Sequence, residues 1–178
     1  MYEEVKETLM ELSGAAGRNP HMERVLVVAC RTAADDVLLD TVGSRAARSP
    51  CEFTLLVPRP CHGLHRIVDP EEHGWQEARA VLEIACPLLS EAAGSRVRGL
   101  VGSHDPVAAV EDALNMHGFD EAIVSTLPAH LSRWLRLDLP SKVEGMGVPV
   151  TRVVGTGLGA SRERSVGAGS PGSGLLVR

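Results

Sequence analysis

Short apolar runs rich in β-branched residues alternate along this chain with stretches whose apolar residues return every three or four positions, and that alternation leaves few folds open. The runs are V-L-V-V-A-C (Val25 to Cys30), F-T-L-L-V-P (Phe53 to Pro58), R-V-R-G-L-V-G (Arg96 to Gly102), E-A-I-V-S-T (Glu121 to Thr126) and P-V-T-R-V-V (Pro149 to Val154). Apolar runs of this length, not alternating with polar residues, suit strands covered on both faces. Between the first two, Ala33 to Ala47 carries Val37, Leu38, Val42 and Ala46 at helical spacing. A second helix opens with Asp69 as N-cap and Pro70 at its first position, and its stripe runs through Ala78, Leu82, Ala85 and Leu89. Asp105 and Pro106 start a third, through Val110, Ala113 and Leu114 to Gly118, and a fourth runs from about Leu139 to Met146. Strands separated by helices in this way predict an α/β fold with a doubly wound, Rossmann-like, five-stranded parallel sheet, because parallel neighbours need helical crossovers of one hand.

The alternation covers residues 23–155, which predicts one domain with an addition at each end. Within residues 1–22, Val5, Leu9 and Leu12 form one stripe of a short amphipathic arm that breaks at S-G-A-A-G-R-N-P. Residues 156–178 are Gly, Ser, Ala and Arg with almost no apolar periodicity, the composition of a flexible tail. A formal net charge of −5 offers no basic footprint for nucleic acid or for an anionic membrane surface, so neither is expected as a partner. The apolar runs are too short to span a bilayer and the N-terminus is acidic, which predicts a cytoplasmic protein. Cys30, Cys51, Cys61 and Cys86 are irregularly spaced, as expected for reduced thiols rather than a disulfide framework.

In a doubly wound sheet, ligands sit beyond the C-terminal ends of the strands where the strand order reverses. Arg31 and Thr32 after the first strand, Ser125 and Thr126 at the end of the fourth, and His130, Ser132, Arg133 and Arg136 in the following loop can converge there. Guanidinium groups among hydroxyls can hold a carboxylate or a phosphate. The plainer reading leaves Arg133 and Arg136 solvated, or paired with Asp138, Glu111 or Asp112. Leu131, Trp134 and Leu135 share one helical face and are expected to pack on the sheet end, with Pro140 separating that turn from the last helix. C-H-G-L-H (Cys61 to His65), near Asp69, Glu72 and His73, has residue types that bind zinc but the spacing of no structural zinc motif, so a solvated loop over the pocket mouth is expected and no metal. No Ser-His-Asp or Cys-His set can be assembled from neighbouring motifs, so no catalytic residue is assigned.

The run V-L-V-V-A, the turn G-S-H-D-P, D-E-A-I-V-S-T, L-S-R-W-L and the closing P-V-T-R-V-V together resemble the universal stress protein domain over roughly Arg24 to Gly155. The resemblance implies strand order 3-2-1-4-5 and a homodimer joined through the fifth strand, Pro149 to Val154. In ATP-binding members a glycine, two residues, a second glycine, nine residues, and a glycine followed by Ser or Thr wrap the phosphates. That spacing puts Val124, Leu127 and Leu137 at the glycine positions and Asp138 at the Ser/Thr position. Side chains there obstruct the approach of backbone N–H groups to phosphate oxygens, and Asp138 is expected to cap the last helix and place a carboxylate where an anion would bind. The family's acidic residue after the first strand falls on Arg31 or Cys30, neither acidic. The resemblance therefore implies the branch without the ATP signature: a non-catalytic stress-response protein with a small-anion or regulatory role. The alternative it leaves is an ATP- or AMP-binding member with an altered phosphate loop and slow hydrolysis.

Overall fold

The computed structural model describes residues 22–59, 70–128, 131 and 138–156, with 70–72 described as backbone. In chain order these form β1 (Glu23–Val28), α1 (Asp36–Ala46), β2 (Cys51–Pro58), α2 (Pro70–Ala93), β3 (Arg98–Gly102), α3 (Pro106–His117), β4 (Glu121–Thr126), α4 (Leu139–Gly145) and β5 (Val150–Val154). All pairings are parallel, and the sheet order is β3-β2-β1-β4-β5. The doubly wound sheet is the one the alternation predicts, and its order is the one the resemblance implies.

Unbroken apolar runs arise because the central strands are covered on both faces. Val25 and Val27 of β1 point to one side with Phe53, Leu55 and Val57 of β2, where Leu38 and Val42 of α1 and Ala78, Ala85 and Leu89 of α2 close the core. Leu26 and Val28 point to the other with Leu56, beneath Ala109, Val110 and Ala113 of α3 and Leu139 and Val143 of α4. Every residue from Val25 to Ala29 is fully buried, so β1 is the spine of the molecule. Gly102 lets β3 approach α3, since a Cβ there would stand 2.6 Å from the Cβ of Ala109.

The helix boundaries differ from the sequence reading where polar caps intervene. α1 starts at Asp36 rather than Ala33, because the Asp35 carboxylate accepts from the Val37 N–H and ends the preceding turn there. Val37, expected on the apolar stripe, is exposed, and the buried face is Leu38, Val42 and Arg45. Arg45 is held by Glu23 and Glu121 at the N-terminal ends of β1 and β4, and by Ser49. β3 begins at Arg98, two residues late, because the Val97 N–H bonds to the Ser90 hydroxyl at the end of α2 instead of joining a ladder.

Asp105 caps α3 and Gly118 ends it with φ of 62°, as expected. No helix among the described residues is long and apolar enough to cross a membrane. The N-terminal arm before Met22, the Cys61 to His65 segment, Asp69, and the tail after Thr156 lie outside the described residues.

Candidate functional site

β1 lies beside β4, and the two leave the sheet for helices on opposite faces, which makes the gap beyond Val28 and Thr126 the switch point. The turn Cys30–Ala34 brings Thr32 over this gap. The Ser125 hydroxyl donates to Thr32 Oγ1 at 2.8 Å, joining the two sides, and both residues are 1% exposed. Thr126 is also buried, and its carbonyl accepts from the Gly155 N–H at 2.9 Å, which carries the β4–β5 pairing past the end of β5.

A residue passed over in the sequence completes the cluster. Asp35 is 3% exposed. One of its oxygens, Oδ1, caps α1 through the Val37 N–H at 3.2 Å, while Oδ2 accepts both the N–H and the hydroxyl of Thr156, at 2.7 and 3.0 Å. Gly155 makes this approach feasible, because a Cβ there would lie 2.9 Å from Asp35 Cγ and Oδ2 and 3.1 Å from Thr32 Cγ2. The doublet Asp35-Asp36 before an apolar-periodic stretch is an N-cap signal; nothing in the sequence links it to Thr156.

The structure thus joins Thr32 to Ser125, both turned inward, while Thr126 is buried and held through its carbonyl. Arg31, one residue from Thr32, is exposed and does not join them. Cys30 beside it is half-buried; burial pushes its thiol up and Glu77 of α2 adds to that, against a smaller pull from Arg31. Leu127 is half-buried just after β4, whereas Leu131, expected to pack on the sheet end, is 57% exposed. His130, Ser132, Arg133 and Arg136, with Trp134, Leu135 and Leu137, lie outside the described residues.

Val124, at the first glycine position of the phosphate-loop spacing, is a fully buried residue of β4, as the expected strand Glu121 to Thr126 implies, in register with Val28 and Arg152. One reading at those positions needs correction. Asp138 precedes α4 but makes no side-chain cap bond, because its backbone is left-handed (φ 50°, ψ 43°) rather than extended as a capping residue requires. Only its carbonyl serves the helix, accepting from the Lys142 N–H. Pro140 lies buried in the first turn of α4, the helix expected from about Leu139.

Chemically, the described part of the crevice is a hydroxyl pair, Thr32 with Ser125, and a carboxylate, Asp35, bonded to Val37 and Thr156. Among the described residues no buried side-chain nitrogen or oxygen lacks a partner. Nor are three or more His, Cys, Asp or Glu gathered there as a metal would need.

No family model matches the chain, and no curated protein matches it. Solved structures do. A universal stress protein in complex with cAMP aligns at a TM-score of 0.54 with 16% identity, over 76% of this chain and 98% of that one. The universal stress protein from Archaeoglobus fulgidus in complex with dAMP aligns at 0.53 with 13% identity, over 75% and 98%. Another structure of a universal stress protein from Archaeoglobus fulgidus aligns at 0.54 with 12% identity, over 74% and 93%. At such identities the shared property is architecture, matched over nearly the whole length of those proteins: the chain has the universal stress protein fold.

Proposed function

We propose that the chain is a non-catalytic, universal-stress-protein-like protein of the cytoplasm, acting as a homodimer in a regulatory role, with a small anion rather than a nucleotide as its ligand. The observation that carries this reading is the buried hydrogen bond between Ser125 and Thr32 across the switch point. Ribose hydroxyls and phosphates need donors and acceptors aimed outward, and here those groups are spent on each other. Arg31, exposed at the mouth, is the cation available to an anion among the candidates the structure describes. β5 supports the dimer, since among the described residues it is bonded to β4 alone and presents Val154, 53% exposed, at the free edge.

A second reading, a nucleotide-binding member with an altered phosphate loop and slow hydrolysis, draws on the cAMP and dAMP complexes among the matched structures. Calorimetry separates the two. Titration of the full chain with ATP, AMP and magnesium is expected to give no binding tighter than about 10 μM, roughly −7 kcal/mol. Tighter binding of ATP or AMP would establish the second reading instead.

A further inference from the structure

The carboxylate of Asp35 joins two elements that are far apart in sequence, and its two oxygens divide the work. Oδ1 serves α1 through Val37, and Oδ2 serves Thr156 through two donors. Thr156 directly follows Gly155, the residue with which β5 leaves the sheet. β5 itself is weakly held. Among the described residues it pairs on one side only, spans five residues, and fully buries only Val153, with Val150 half-buried against the core. Arg152 is tied to Ser141 and Glu144 of α4, but at the surface, where such pairs contribute little. Charge-assisted bonds to a carboxylate 3% exposed are stronger than these.

We propose that Asp35 is a latch for the last strand: when Oδ2 loses Thr156, β5 with Gly155 and Thr156 leaves the sheet as one unit, while β1 to β4 and α1 stay folded. The inference goes beyond the proposed function: it holds whether or not the protein binds a nucleotide, and it concerns β5 in the monomer, where among the described residues its outer edge is unpaired, so exchange is followed at a concentration at which the chain sediments as a monomer. Local opening of this kind belongs to segments with few buried apolar contacts and an unpaired edge. Gly155 keeps the latch tight, since its backbone lies against the carboxylate and Thr32 together.

Asp35→Asn isolates the latch from the cap. The amide oxygen still accepts from Val37, and asparagine is as good an N-cap as aspartate. Its amide nitrogen, however, is a donor and cannot accept the Thr156 N–H. Hydrogen exchange of the full chain is expected to show residues 150–156 exchanging about tenfold faster or more, together with the β4 amides bonded to β5, with 36–46 and the β1 to β3 amides unchanged. Trypsin is expected to cut after Arg152 in the variant and not in the native chain. Thr156→Val, which keeps the N–H, is expected to give a smaller acceleration in the same segment. Unchanged exchange in 150–156, or equal acceleration in all five strands, would overturn the latch. Should Asp35→Asn not fold, Thr156→Pro removes both donors at an exposed residue and is judged by the same outcomes.

Discussion

Whether Thr32 and Ser125 are a staple or a ligand site can be decided from their energetics. Removing one partner of a buried hydroxyl pair strands the other and costs about 1 to 3 kcal/mol, whereas removing both can be nearly neutral. Thr32→Val and Ser125→Ala are therefore each expected to destabilise by about 1 to 2 kcal/mol, with the double variant less affected than the sum. Additive losses in urea unfolding would mean that the hydroxyls do not act on each other. The cysteines give a second residue-level expectation. Burial pushes the thiols of Cys30, Cys51 and Cys86 up. Their folded values thus lie above the unfolded ones, and unfolded thiols begin to ionise near pH 8.5, at about the ordinary cysteine value. Stability from these groups is complete below that pH and is lost as pH rises through the folded values. The urea midpoint is expected to fall as pH rises above about 8.5, and to fall less in a variant with all three changed to alanine; equal slopes would refute the assignment. Thr32 and Ser125 were legible as candidates because they flank strand ends. That they face each other was not, since one lies in the β1–α1 turn and the other in β4.

At the scale of elements, what could be read in the sequence was whatever depends on neighbours in the chain. The Asp105-Pro106 start, the Gly118 stop and the five apolar runs are local signals, and they appear as α3 and the sheet. Features that need a distant partner were hidden. Arg45 looks like a solvent-facing helix residue until Glu23 and Glu121 are brought to it from β1 and β4. Asp138 shows the same limit from the other side, for its position before α4 suggests a cap while the backbone takes a left-handed turn. A non-glycine residue there carries strain of roughly 1 kcal/mol, eased for aspartate by its short polar side chain. Against this, an exposed carboxylate at a helix start contributes about 0.3 to 1 kcal/mol through the helix dipole, toward the low end for so short a helix. Relief of strain is the larger effect. Asp138→Gly is expected to raise stability by about 0.5 kcal/mol, and Asp138→Ser to lower it, since serine keeps the strain and loses the charge. Thermal unfolding of the two variants checks the order, and a glycine variant less stable than the serine one would show that Asp138 supports α4 through its side chain.

For the whole molecule the open edge of the sheet is the feature with the largest consequence. β3 and β5 are both edge strands, and β5 pairs the more apolar composition with an exposed Val154. An edge of this kind pairs with another chain unless something protects it, and a twofold antiparallel match of β5 with a second β5 is the simplest closed assembly. The structure also shows which side chains can test the idea. Val153 belongs to the chain's own core at 4% exposure, so a lysine there would unfold the domain rather than part a dimer. Thr151 and Val154 are exposed and alternate in face, so lysines at both place like charges on either side of the axis without touching the core. Thr151→Lys with Val154→Lys is expected to leave the circular dichroism and the urea midpoint of the fold in place. It should weaken self-association at least tenfold, about 1.4 kcal/mol. Sedimentation decides it: native chain at about 10 μM should run as a dimer and the variant as a monomer, a concentration at which a specific interface of ordinary size holds. A native monomer, or a variant that still dimerises, would mean that this edge is closed by something other than a second copy of itself.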